Sequence, residues 1–201
     1  ASILLIATND FPANNAKELV EWIISDCRFP IGTLSILDIG SGSGCIPIAL
    51  KKRLGKAQVR SCDISSEALA IARKNAATLG IDVHFTELDF LNETQRNTLP
   101  SFDIIVSNPP YVPEKDKLTM QPNVLHFEPF TALFVPDNDA LVFYKALAEF
   151  GKQHLNEKGI IYAEIHENLG AATASVFESA GYRTIVKKDM QGKERMIKAF
   201  T

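Results

Sequence analysis

A doubly wound, mostly parallel α/β sheet of seven strands, finished by an antiparallel hairpin, is the fold class this chain predicts. Three observations carry it. Short apolar runs alternate with helical periodicity along nearly the whole chain. A glycine-rich turn, Asp38-Ile39-Gly40-Ser41-Gly42-Ser43-Gly44, joins the first strand to the helix behind it. Near the end the alternation stops, and two strand-like runs flank "DMQGKE" at residues 189–194.

Each element has its own signal. Residues 14–27 read as a helix because Leu19, Val20, Ile23, Ile24 and Cys27 recur at helical spacing behind Asn14 and Asn15, which suit a cap. Residues 35–40, "SILDIG", are a short strand stopped by glycine, and a helix follows through Ile46, Ile48, Ala49 and Leu50 to Gly55. Residues 58–64 are the second strand. Ser65 then caps a helix with Glu67 in its first turn, Leu69, Ile71, Ala72 and Leu79 on its inner face, and Gly80 at its end. Alternation marks residues 83–90 as the third strand. Residues 102–108, "FDIIVSN", carry the continuous apolar run of a strand buried on both faces. A helix over 139–156, a strand over 159–165 and a helix over 169–180 lead into the hairpin of "YRTIVKK" and "RMIKAF".

The chain has 201 residues, enough for one such domain, over 14–201, preceded by a linker or remnant strand at 1–13. Its 46% hydrophobic and 22% charged residues are the balance of an ordinary globular protein. The best early apolar run, "SILLIA", is far short of the roughly 20 residues a membrane span needs. It also lacks a signal peptide's basic flank and cleavage site, so a cytoplasmic protein is the expectation; a monomer is the expected state. Cys27, Cys45 and Cys62 are scattered, and His84, His126, His154 and His166 show no ligand spacing, so no metal site is expected. A net charge of −3 argues against an extended grip on nucleic acid. Residues 111–138 hold Pro113, Pro122, Pro129 and Pro136 without clear period; a loop this long usually covers or shapes a site.

The glycine turn lets backbone approach a ligand closely, and in open α/β sheets ligands lie outside the carboxyl ends of the strands. Asp63 ends the second strand, where a carboxylate can accept both hydroxyls of a ribose. Asp89 closes the third and can accept an adenine amino proton, with the Phe90 ring packed on the base. This suits a nucleoside-containing cofactor. The spacing is GxGxG, so the dinucleotide pattern GxGxxG is not met, and the Gly-Lys-Ser/Thr of a P-loop is absent. The same glycines also suit a tight strand-to-helix turn, Asp63 a helix cap, and Phe90 an ordinary core.

"VSNPPYVP", residues 106–113, follows the fourth strand. Pro110 biases Pro109, and Pro109 biases Asn108, toward extended backbone, so the corner is preset. Prolines offer carbonyls and no N–H, and Asn108 adds a side-chain carbonyl. Acceptors fixed in this way can hold both hydrogens of a planar –NH2 group while Tyr111 stacks on its face. Such a nitrogen is a poor nucleophile. Gripping its hydrogens favours the more sp3-like transition state and aims the lone pair. The fitting electrophile is a sulfonium methyl, with neutral S-adenosylhomocysteine leaving.

These residues resemble the class I S-adenosylmethionine-dependent methyltransferases that act on planar amino groups, a Rossmann-like family with Asn-Pro-Pro-Tyr after strand four. More closely, "ILDIGSGSGCIPIAL", "SNPPYVP", Phe127-Glu128-Pro129 and "GKERMIKA" are similar to the protein-glutamine N5-methyltransferases, over roughly residues 16–201. The resemblance implies S-adenosylmethionine as cofactor and, as protein partner, a peptide chain release factor methylated on the glutamine of its Gly-Gly-Gln motif. It implies that Gly40, Ser41, Gly42, Ser43 and Gly44 line the cofactor's methionine and ribose, that Asp63 binds the ribose hydroxyls, and that Asp89 and Phe90 border the adenine. Asn108, Pro109, Pro110 and Tyr111 would hold the substrate amide, with Asn108 near both ligands. Two departures stand out. The family's Pro-Arg-Pro-Glu-Thr stretch is reduced here, in "FPANNAKELV", to Pro12 and the Glu18-Leu19-Val20 tail. The family's helical N-terminal docking domain would precede residue 1. The Asn-Pro-Pro-Tyr element is shared with adenine N6-methyltransferases acting on nucleic acid, the rival enzyme reading; a cofactor-binding relic or scaffold is the non-enzyme one.

Overall fold

The computed structural model describes residues 14–30, 32–110, 112–113, 134–135 and 139–201. In chain order these form α1 (Asn14–Asp26), β1 (Ser35–Ile39), α2 (Cys45–Leu54), β2 (Gln58–Asp63), α3 (Ser66–Leu79), β3 (His84–Glu87), α4 (Glu93–Arg96) and β4 (Phe102–Ser107). Then come β5 (Val112–Pro113), β6 (Phe134–Val135), α5 (Val142–His154), β7 (Leu155–Glu164), α6 (Gly170–Ser179), β8 (Arg183–Lys188) and β9 (Glu194–Phe200). Seven strands make one sheet in the order β3-β2-β1-β4-β7-β9-β8. β9 pairs antiparallel with both its neighbours, and the other pairings are parallel. The predicted class, strand count and terminal hairpin are all present.

Successive residues of a strand face opposite ways, so each strand feeds two layers. On one face Ile36, Val59, Ile104 and Val106 pack with Leu19, Val20 and Ile23 of α1 and with Ile46 and Leu50 of α2. On the other, Leu37, Ile39, Ile105 and Ile161 pack with Leu147 and Phe150 of α5 and Phe177 of α6. α1 is fastened at its end as well. Asp26 accepts hydrogen bonds from Tyr162 and Lys198, and the Trp22 ring meets Tyr162 edge-on at 5.4 Å.

Four sequence expectations shift. α1 starts at Asn14 as expected and ends at Asp26, one residue before Cys27. Ile71 is exposed, because the buried stripe of α3 runs through Ala68, Leu69, Ala72, Asn75 and Ala76, and Ile71 lies off it. The third strand ends at Glu87 rather than 90, since the Asp89 carboxylate accepts from Leu91 N and turns the chain. The helix over 139–156 stops at His154, and β7 starts at Leu155, opposite Phe102. That early start is irregular: Lys158 takes a φ of 64°, and the register shifts before Ile104 meets Ile160. The segment 1–13 lies outside the described residues. Of 111–138, only β5 and β6 are described, paired parallel to each other.

Candidate active site

Strand order reverses between β1 and β4, which lie side by side with Ile39 opposite Ser107. Chains leaving the carboxyl ends of these two strands diverge and leave a crevice there. The glycine turn leaves one and the Asn108 corner the other.

The turn is held from below and from the side. Gly40 N and Ser41 N both donate to Cys62 O, and Gly44 N donates back to Ser41 O. Asn75, buried on α3, donates to Ser43 O at 2.9 Å. Gly44 has a φ of 84° and caps α2 with no side-chain hydrogen bond. A Cβ there would stand 2.9 Å from Ile48 Cδ1 and 3.1 Å from Ala72 Cβ, so α2 and α3 close upon it. Gly44→Ala is expected to cost about 2–4 kcal/mol, combining left-handed backbone strain with overpacking. Urea unfolding checks this; a loss below about 0.5 kcal/mol, the size of an ordinary surface change, would show the position is not packed in this way.

The Asp63 carboxylate is held between the glycine turn and the start of α3. Its Oδ2 accepts from Gly42 N and its Oδ1 from Ser65 N, each at 2.9 Å. Ser65 in turn accepts from Ala68 N and caps α3. One carboxylate thus fixes the glycine turn to the start of the next helix, and each oxygen keeps a further lone pair.

Beneath the turn lies Asp38, a residue to which the sequence pattern assigns no role. It is fully buried, and its Oδ2 accepts from Ser61 Oγ at 2.6 Å while Oδ1 has no partner. Ser61 Oγ lies 2.5 Å from Ser41 Oγ, so a row of hydroxyls leads from the acid into the turn. Burial pushes the Asp38 carboxyl up to about 8; the Ser61 bond pulls it down, and nearby Asp63 adds to the rise. The available signal is a carboxylate inside a strand whose neighbours are all apolar.

Asp89 is half-buried, its N–H held by the Gln95 side chain. Phe90 is turned into the core, edge-on to Phe150 at 5.3 Å. Arg96, another residue missed from sequence, is buried and donates to the carbonyls of Phe90 and Leu91 and to Glu149. It pins the segment that carries Asp89. Only its place on a one-turn helix marks it, and nothing in the sequence separates it from a surface arginine.

The corner after β4 meets the glycine turn directly. Ser107 Oγ donates to Ile39 O at 2.8 Å, and a Cβ on Gly40 would lie 3.7 Å from the backbone oxygen of Asn108. Pro109 is buried, and Asn108 and Pro110 are half-buried. Tyr111 and the Phe127-Glu128-Pro129 element lie outside the described residues. Gly40 to Gly44, Asp63 and Asn108 to Pro110 therefore converge on one end of the sheet. Among the described residues no cluster of His, Cys, Asp and Glu is arranged to hold a metal ion, and no helix is long and apolar enough to cross a membrane.

Residues 22–126 match the model of the methyltransferase small domain. The release factor glutamine methyltransferase of Flavobacterium psychrophilum is 45% identical over 190 residues, covering 93% of this chain and 66% of that protein. The release factor glutamine methyltransferase of Lactococcus lactis is 37% identical over 188 residues, covering 92% of this chain and 67% of its own length. The chain thus spans about two thirds of these relatives, and only 66% of the first. A crystal structure of a release-factor-specific protein-(glutamine-N5) methyltransferase from Alicyclobacillus acidocaldarius shares the fold, with a TM-score of 0.59 at 24% identity over 94% of this chain and 93% of that one. With this identity over most of its length, and a domain model covering more than half of it, the chain belongs to the release factor glutamine methyltransferase family.

Proposed function

We propose that this chain transfers a methyl group from S-adenosylmethionine to the side-chain amide nitrogen of the glutamine in the Gly-Gly-Gln motif of peptide chain release factors. The observation that carries the reading is the adjacency of the two turns, with the Asn108 backbone oxygen 3.7 Å from where a Cβ on Gly40 would stand, which sets a cofactor turn and an amide-holding corner on adjoining strand ends. The residues present fit such a cofactor. α2 follows Gly44 without a side-chain cap, a Cβ on Gly42 would meet nothing within 4 Å, and Asp63 retains acceptor capacity.

When bound, the cofactor supplies a methyl on a positively charged sulfur and departs as a neutral thioether. The glycine turn, Gly40 to Gly44, lines the methionine and ribose portions, and Asp63 accepts from the ribose hydroxyls. Asp89, pinned through Arg96, borders the adenine, with Phe90 backing the wall from the core. Asn108, Pro109 and Pro110 present carbonyls to the two amide hydrogens, and the family resemblance gives the neighbouring Tyr111 the role of stacking on the amide plane. Holding those hydrogens turns the nitrogen lone pair toward the donor methyl. The extra proton leaves to water once the bond has formed, so no strong base is required at the corner.

The reading is tested by incubating the protein with radiolabelled S-adenosylmethionine and, separately, release factor, RNA and DNA. Label is expected on the release factor at the Gly-Gly-Gln glutamine. Label on nucleic acid alone would replace glutamine with an exocyclic base amine as the substrate.

A further inference from the structure

Asp38 lies just beneath the cofactor loop and is unlike the other carboxylates of the site. It is wholly buried, it has one acceptor oxygen with no partner, and its other oxygen begins the hydroxyl row Ser61 to Ser41. A row of this kind has two orientations. With Asp38 ionised, Ser41 donates to Ser61 and Ser61 to Asp38, which leaves the Ser41 lone pairs for a donor in the loop. With Asp38 protonated on Oδ2, the oxygen that meets Ser61, the row reverses: Asp38 donates to Ser61 and Ser61 to Ser41, and the Ser41 hydrogen is free to point elsewhere.

We propose that Asp38 is a positioning residue that exchanges its proton for the positive charge of the cofactor, so that binding S-adenosylmethionine reverses the Ser41–Ser61–Asp38 row and releases one proton to solvent. This rests on the cofactor site assigned above. A cationic ligand donating N–H groups favours the ionised orientation on two counts, because it needs lone pairs at Ser41 and because it offsets a buried negative charge. Burial holds the acid protonated near neutrality in the ligand-free protein, with a value of about 8. The groups facing it among the described residues are Asp63 and Cys62 on β2 and Cys45 at the start of α2; its β4 register partner, Val106, is uncharged. Both thiols are held neutral by burial, which raises them, and Asp63 is the other carboxylate in this group.

The test is titration calorimetry between pH 6.5 and 8.5 in buffers of different ionisation enthalpy, using S-adenosylmethionine and, as an uncharged nucleoside, adenosine. The ligand's own α-amino group, ordinarily at about 7.7–8.0, titrates in the same window. Subtracting Asp38→Asn, which keeps an acceptor for Ser61 and cannot ionise, removes that contribution. Near pH 7.5 the wild type is expected to release more protons per S-adenosylmethionine than Asp38→Asn does, by roughly half a proton or more, and none for adenosine. Ser61→Ala, a second substitution, deprives Asp38 of its one accepted bond and should move the release to higher pH. The ligand-free protein gives a further readout. Asp38 ionises at 3.8 in the unfolded chain and near 8 in the folded one, so the folded state holds the extra proton between these values and its melting temperature should fall as pH rises through that window. Asp38→Asn should flatten that fall. Equal proton release from the wild type, Asp38→Asn and Ser61→Ala would overturn the proposal while leaving the cofactor site standing. Absence of S-adenosylmethionine binding at every pH would overturn both.

Discussion

Replacing Asn108 by alanine should lower methyl transfer to release factor by about 10²–10³-fold, the usual cost of losing one preorganised polar group that acts in the transition state. Cofactor affinity should change less than about threefold, well under 1.4 kcal/mol. The separation follows from the geometry. The contact with the glycine turn is made by the backbone oxygen of Asn108, which alanine keeps, while the side-chain carbonyl is what the substrate amide would meet. Single-turnover measurement at saturating S-adenosylmethionine isolates the step. Methylation by Asn108→Ala at near the wild-type rate would remove the side chain from the amide clamp.

Asp63→Ala should produce the opposite split. Its carboxylate holds Gly42 N and Ser65 N, and in the proposed site it also holds the ribose. Hydrogen bonds to a charged group contribute about 1.5–3 kcal/mol each, so the dissociation constant for S-adenosylmethionine should rise by roughly 10²–10³-fold. Part of the loss is indirect, since the glycine turn loses the anchor at Gly42. Asp63→Asn should rescue little: with its oxygen on Ser65 N, its –NH2 would face the Gly42 N–H, donor against donor. Calorimetric titration decides the matter, and an affinity unchanged within threefold would take Asp63 out of the ribose site.

Much of this architecture is legible in the residues alone. The alternation of strand and helix, the Ser65 cap and the Gly80 stop are local, and each appears where the residues set it. The same holds for the glycine turn, whose glycines at 40, 42 and 44 all take positive φ. Boundaries are less legible where partners decide them. β7 begins at Leu155 because Phe102 lies opposite and Asn156 donates to Asp103 Oδ1, contacts between residues more than fifty apart. Ile71 reads as inward by hydropathy, yet the stripe that packs includes Asn75, whose amide is spent on the glycine turn.

The site divides in the same way. Composition and motif spacing by themselves determined the fold class, the glycine turn with Asp63 behind it, and the stiff corner at Asn108, because each depends on residues adjacent in the chain or on a simple period. The doubly wound topology already sets strand four beside the glycine turn; only the tertiary structure decided how closely they approach across sixty-eight positions of chain, with the Asn108 backbone oxygen 3.7 Å from where a Cβ on Gly40 would stand. It also decided that Asp38 is fully enclosed with one oxygen unpaired, and that Arg96 pins the segment after the third strand. Burial and hydrogen bonding between distant segments are properties of packing, and packing is where a carboxylate acquires a proton or a surface-looking arginine becomes a brace.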